Sequence, residues 1–315
     1  ASNFGSLIIN TPSALTTVTS SGKAFSVKRD VTVTSGNLIL QATDSDYIIT
    51  RDLIVATNGK LTHNVNWSVT SIKMTVGRNV AVDGIYTSPV PSHLQMKATS
   101  SNSLIRSGAN VASAFSMVSF VNPSRTISAS GILVVNGSLN AGNGVTGGTF
   151  ATAGQNVTLN NGLIASGGNI NINGGTVNIT AGGLNVGVTQ NSTVTFSAGT
   201  LTTNQLTIGN GTFSGTFKQT SGSSTTTNVN GNLTINATGA YSFSGAGLKE
   251  INIKGNWTNN GSYSRKSEKV TFNGTVAQSI NGATTFNKLV NANTASILTF
   301  NAVTSIFNDL SIETA

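Results

Sequence analysis

The feature that most constrains this chain is a triplet of apolar, polar and apolar residues that returns at intervals in the twenties. Val134, Val157, Leu184, Leu206 and Leu233 mark equivalent positions in successive triplets, 23, 27, 22 and 27 residues apart. Alternation with period two is the mark of a strand with one buried face. Between the triplets lie clusters of Asn, Gly, Ser and Thr, such as Asn236-Ala237-Thr238-Gly239 and Asn259-Asn260-Gly261-Ser262. These residues accept left-handed backbone or close their own turns. No stretch keeps a helical spacing. A loose period made only of strands and turns implies a solenoid, because each coil buries its apolar face only by stacking on the next. The expected fold is all-β: a right-handed parallel β-helix of about 13 coils at ~24 residues each.

The pattern runs from end to end. It opens at Leu7-Ile8-Ile9, continues through Val31-Thr32-Val33, Leu53-Ile54-Val55 and Val80-Ala81-Val82, and closes at Leu310-Ser311-Ile312. Composition hardly changes along the chain, so residues 1–315 read as a single solenoid. A row of immunoglobulin-like sandwiches would need longer strands and a period near ~100 residues, which is not present. One interruption stands out. Pro89 and Pro91 bracket Val90, and Pro123 follows. Proline removes a ladder donor and belongs at edges or outside a sheet. Residues 85–98 are therefore expected to leave the main body as a loop.

Charged residues make up only 8% of the chain while 37% are hydrophobic, which argues against disorder given their regular placement. The apolar runs fall far short of the roughly 20 residues of a spanning helix and of the ~10-residue strands of an outer-membrane barrel, so no membrane insertion is expected. The formal net charge of +8 suggests nucleic acid, but residues 126–217 carry no charged side chain and the cations elsewhere are not interleaved with aromatics. No nucleic-acid partner is expected. There is no cysteine. The chain opens Ala1-Ser2-Asn3-Phe4, for which a cleaved leader or a trimmed terminus would account. The polar, weakly charged composition points to an extracellular location.

Candidate sites are few. Asp44, Asp46 and Asp52 form the nearest acidic grouping, as acid/base hydrolysis of a polysaccharide would need. Solvated turns are the simpler account, since Asp pairs are common in turns. Asp30 and Asp52 recur at similar places, each after an arginine, and suggest a surface charge ladder. His63 and His93 lack the companions of a zinc site. Gly142-Asn143-Gly144-Val145-Thr146-Gly147 spells GxGxxG with no helix after it, so it reads as a turn. Residues 126–217 contain no Asp, which excludes the calcium-binding nonapeptide repeat there. Trp67, Tyr86, Tyr241, Trp257 and Tyr263 would stack on sugar rings if exposed and would pack the core otherwise. The N-x-S/T triplets follow from composition alone. No catalytic residue, metal ligand or cofactor-binding residue is assigned, and no enzymatic activity is expected.

The stretch Ile253-Lys254-Gly255-Asn256-Trp257-Thr258-Asn259-Asn260-Gly261-Ser262, with Val270-Thr271-Phe272-Asn273-Gly274 and Thr285-Phe286-Asn287-Lys288-Leu289, resembles the degenerate repeats of large exported surface proteins and adhesins of Bacteroidota. The resemblance covers about 231–312. It implies a right-handed parallel β-helix at the cell surface, with a structural or adhesive role and no catalytic residues. The expected function is that of a filament or surface-layer subunit, or a segment of an adhesin. Carbohydrate binding and polysaccharide degradation are the alternatives, with cell-surface polysaccharide as the second partner. Ice binding by rows such as Thr32-Val33-Thr34 fits less well, because the rows are irregular. Strand pattern at both ends, with no polar cap, makes Leu7, Ile8, Ile9, Leu310 and Ile312 the candidate end-to-end interface, the partner being a second copy or a neighbouring solenoid segment.

Overall fold

A short strand with two inward apolar residues and one outward polar residue buries nothing by itself. It folds only when another such strand lies beside it. The computed structural model shows this arrangement throughout, and describes residues 1–315 except 1, 12, 14, 15, 109–112, 123, 143–146, 166, 295, 296, 314 and 315. The chain is an all-β parallel solenoid of about 13 turns. Its residues group into two compact units: 1–151 with 155–160, and 152–154 with 161–315.

In each unit a coil has two parts, a short rung and a longer arm. The rungs of the first unit include Phe25–Val27, Tyr47–Ile49, Met74–Val76, His93–Met96 and Met117–Phe120. Those of the second include Leu184–Val186, Leu206–Ile208, Leu233–Ile235 and Trp257–Asn259. The pairing is parallel and places like on like. Leu184 lies beside Leu206, Leu206 beside Leu233, and Leu233 beside Trp257. The outward residues form their own column of Asn185, Thr207, Thr234 and Thr258.

The arms are single long strands or pairs of shorter ones. Val31–Ala42 and Leu53–His63 each run through a bend. Glycine makes that bend possible. Gly36 takes a φ of 85°, and a Cβ at Gly59 would collide with the Val33 carbonyl of the coil beneath. In the second unit, Asn169–Ile179 and Ser192–Thr203 are continuous, whereas Gly215–Gln219 and Thr225–Val229 are separate strands.

The segment 85–98 departs from the expectation of a loop. Ile85–Thr87 pairs with Lys60, Leu61 and Thr62, and His93–Met96 pairs with Met117–Phe120. Within it, 88–92 and 97–98 are connections. Pro89 and Pro91 sit at the corner between arm and rung, where no ladder donor is required. The Pro91 carbonyl accepts a hydrogen bond from the Trp67 N–H at 2.8 Å. That ties this corner to the four-residue helix Trp67–Thr70 of the preceding one.

The second unit also contains an aromatic file. Ring centroids are 6.4 Å apart for Phe196–Phe217, 4.9 Å for Phe217–Tyr241, 5.8 Å for Tyr241–Tyr263 and 5.7 Å for Tyr263–Phe286. Edge-on contacts of this kind stabilise beyond the area they bury. The residues lie 21, 24, 22 and 23 apart in sequence, so the period of the coil is written a second time in aromatic rings.

Leu206, Ile208, Leu233 and Ile235 are fully buried, while Thr207 and Thr234 face outward. Leu233→Ala should therefore destabilise the second unit by about 3 kcal/mol, the usual effect of a cavity in a packed core. A chemical denaturation midpoint unchanged from the parent would show that Leu233 does not fill the column. Leu233→Asp should prevent the unit from folding, because it places an unpaired carboxylate in that column.

Candidate functional site

The acidic residues singled out in the sequence hold coils together. Asp44 accepts the Ala24 N–H at 2.9 Å and pairs with Lys23 at 3.3 Å on the coil before. That backbone hydrogen bond is the main reason its carboxyl lies below its ordinary range. Asp46 reaches the other way, to the Lys73 N–H at 2.9 Å and the Lys73 ammonium at 2.8 Å. The turn 44–46 is thus a clasp across three coils.

Asp52 has a similar role. Burial works to raise its pKa, but Arg78, the Asn79 N–H at 3.1 Å and the charge of Arg51 outweigh it and hold the carboxyl ionised. The same offset recurs in Asp30 with Arg51 at 3.5 Å, and in Asp83 with Arg106 through two bonds of 2.7 and 2.6 Å. Each aspartate pairs with an arginine one coil further on. This is the charge ladder anticipated from the Arg-Asp pairs. Asp30, Asp44, Asp46 and Asp52 are each committed to a cation and to a backbone N–H of a neighbouring coil.

The two histidines are core residues. His63 Nδ1 lies 2.8 Å from the Tyr86 hydroxyl, and His93 Nε2 lies 2.7 Å from the Ser119 hydroxyl. The His93 ring also meets the edge of Trp67 at 5.1 Å. Burial, with the neighbouring His93, lowers the His63 pKa to about 3. Burial and the Lys73 ammonium lower that of His93 to about 4, against a smaller opposing effect of Asp46. Among the described residues, no group of three or more His, Cys, Asp or Glu could hold a metal ion.

Of the aromatic candidates, Tyr86, Tyr241 and Trp257 are buried, and Tyr263 is half-buried against Trp257 and Phe286. Only Trp67 reaches the surface, at 37% exposure. The GxGxxG spelling falls mostly on 143–146, outside the described residues.

The sequence reading missed the polar interior of the second unit. Lys249, Glu268 and Asn287 occupy inward positions on three successive coils, all buried. The Lys249 ammonium donates to the carbonyls of Ser221 and Gly245, each at 3.0 Å, and of Gly247. Burial lowers its pKa. Glu268 accepts the N–H groups of Lys266 at 2.6 Å and Asn287 at 2.7 Å. Each charge is met by backbone dipoles, which is what keeps it tolerable there. The available signal was a polar residue at an inward position of the alternation: Lys249 two before Ile251, and Glu268 two before Val270.

The candidate interface residues lie at the two ends. On the first unit, Leu7 pairs with Val31 and Ile9 with Val33. Ile9 is buried, Leu7 is half-buried and Ile8 points outward at 67% exposure. Phe4, beside Val27, is 39% exposed, and Val18, beside Leu38, is 40% exposed. On the second unit, Phe300 follows the buried Ile280 in the column, Ile306 follows Phe286, and Leu310 follows Leu289. Phe300 is 46% and Leu310 51% exposed, Ile306 is half-buried, and Ile312, beside Asn291, is 73% exposed. Phe307 is covered on one side by the Arg265 guanidinium, 3.6 Å from the ring centre.

Two predictions follow from this geometry. His63 and His93 bind protons readily when unfolded, near pH 6.5, and only near pH 3 and 4 when folded. The unfolded chain therefore holds more protons below pH 6.5, and stability should fall as the pH drops from there toward about 3. Between pH 6 and 4.5 the slope should approach roughly 2.7 kcal/mol per pH unit, two protons at ~1.36 each. His63→Gln should halve it, and a parent slope near zero in urea titrations would refute the burial of both rings. Second, Asp46→Asn should cost about 1 kcal/mol or less, as for a half-exposed ion pair. Parent and variant alike should release no reducing or unsaturated ends from acidic or neutral polysaccharides, whereas turnover abolished by Asp46→Asn would make the turn an active site.

No protein-family model, no curated protein and no solved structure matches this chain, so its function is argued from its own residues.

Proposed function

We propose that the protein is an extracellular structural β-solenoid that assembles by adding further coils to its end faces, as a filament or surface-layer subunit. The observation that carries this reading is the partly uncovered column at Phe300, Ile306 and Leu310. Each is the direct register successor of a buried side chain. An apolar column that reaches the surface, beside a strand with free N–H and C=O groups, is a template for one more coil.

A second copy has the matching element. Its first coil offers Ser2–Phe4 and then Leu7–Asn10, and the last coil presents Leu298–Phe300 and then Thr304–Ile312. The step from rung to arm is two residues in one case and three in the other. The same one-residue difference is already accommodated where the first coil stacks on the second: Phe4 lies beside Val27 and Leu7 beside Val31, three positions apart on one coil and four on the other. Head-to-tail contact between like chains is heterologous, and where its rotation does not close it gives a filament. The location is supported by the weakly charged, Asn- and Thr-rich composition. The non-catalytic reading of the acidic turn is supported by Asp44, Asp46 and Asp52, each of which pairs with a cation on a neighbouring coil.

The test is assembly. At about 0.1 mM the protein should form end-to-end fibres by negative-stain microscopy, and these should persist in high salt, because the joint would rest on backbone bonds and apolar contact. The double variant Phe300→Asp, Leu310→Asp should stay monomeric with an unchanged circular dichroism spectrum. A parent that sediments as a monomer at this concentration, or a double variant that still forms fibres, would refute end-to-end addition.

A further inference from the structure

The lateral face of the second unit carries a polar furrow that the end-to-end reading does not use. It has a volume of about 230 Å³ and lies between two parallel rails of side chains. One rail consists of Thr202, Asn228 and Asn252, stacked in register on successive arms. The other consists of Asn230, Lys254 and Asn273, each just past the buried last residue of its own arm, Val229, Ile253 and Phe272, the last on the arm Glu268–Phe272. The stacking spacing is ~4.8 Å per coil, so the furrow follows the coil axis over about four coils, roughly 14 Å.

Its hydrogen-bonding capacity is only partly used. In the first rail, Asn252 Nδ2 donates to Asn228 Oδ1 at 2.9 Å, and Asn228 Nδ2 to Thr202 Oγ1 at 3.4 Å. A carboxamide has two N–H donors and an oxygen with two lone pairs. This chain of bonds takes one of the two N–H donors of each asparagine. In the second rail, the side chains of Asn230 and Lys254 have no hydrogen bond or ion pair among the described residues, and Asn273 Oδ1 is buried in the wall with no donor. The furrow contains no carboxylate. Glu250, on the same strand as Asn252, already pairs with Lys269 at 3.0 Å. Lys254 is thus an uncompensated positive charge beside a regular array of amide and hydroxyl groups.

We propose that this furrow binds an acidic polysaccharide, lying along the coil axis with its hydroxyls on the Asn and Thr rails and a uronate carboxylate on Lys254. Paired donors and acceptors repeating at a fixed spacing suit a polyol chain, whereas nucleic acid would call for several cations and exposed rings. With no aromatic platform, since Trp257 and Tyr241 are buried, binding rests on hydrogen bonds and one charge and should be weak. A dissociation constant near 1 mM is expected.

The probe is polygalacturonate, with dextran as the neutral comparison, measured by titration calorimetry and by amide NMR shifts in low salt. Polygalacturonate should bind and shift residues 202–273, and dextran should bind at least about tenfold more weakly. Lys254→Gln should weaken polygalacturonate about tenfold, and Asn230→Ala with Asn252→Ala should weaken it further. Asn230 and Lys254 are exposed and Asn252 is half-buried, and a cooperative unfolding transition would confirm that each variant folds. No polygalacturonate binding at ~10 mM, equal binding of dextran, or full affinity in Lys254→Gln would each overturn the proposal. The Phe300→Asp, Leu310→Asp variant should bind polygalacturonate as the parent does, so this result stands apart from whether the ends assemble.

Discussion

Everything in this structure depends on parallel strands paired with like residue over like. Because the side-chain period of a strand is two, a slip of one residue would turn every inward leucine out to solvent. The slip is resisted wherever triplets stack, as Leu184, Leu206, Leu233 and Trp257 do. It is resisted again by residues that join one coil to the next outside the core. The Asp-Arg pairs of the first unit and the asparagine chain of the second both bond across coils at a fixed offset, so they too are satisfied in one register only. The apolar column supplies the driving force, and the polar ladders select the pairing.

The Lys249, Glu268 and Asn287 positions show how strict that selection is. A buried ammonium and a buried carboxylate are poor contributors to stability compared with an apolar residue of the same size. Here each is satisfied by particular backbone groups: three carbonyls around the ammonium, and two N–H groups on the carboxylate. A shifted register would leave both charges buried without partners. Such groups cost stability in the correct fold and far more in any misaligned one.

The fold was legible because it is written redundantly. The apolar triplets, the turn clusters and the aromatic period each state the same repeat, and the strands formed where the alternation placed them. The segment 85–98 was misread for a physical reason. Its prolines were weighed as strand breakers, yet Pro89 and Pro91 occupy a corner, where the absent N–H has no ladder partner to lose. The charge ladder could be anticipated from Arg29-Asp30 and Arg51-Asp52, but the pairing of each aspartate with the next coil's arginine could not, because that depends on the twist between coils. The interior lysine and glutamate were passed over because neither belongs to an apolar triplet, although Lys249 and Glu268 each stand two residues before an inward apolar one. The furrow was hidden for a related cause: Asn230, Lys254 and Asn273 are far apart in the chain and become neighbours only when coils stack.

The Lys249 cradle has a mechanical consequence. Tension applied to the last strand of the second unit would open the ladder like a zipper, one backbone bond at a time, because the load falls on the outermost coil first. The coils from Thr284 onward resist only with their own hydrogen bonds and a partly wetted column. At the coil of Glu268 and then that of Lys249, further peeling would strip buried charges of the dipoles that balance them, and the force needed should rise in a step. The second unit would then behave under load as a soft tip backed by a ratchet, yielding its outer coils while keeping the inner stack intact.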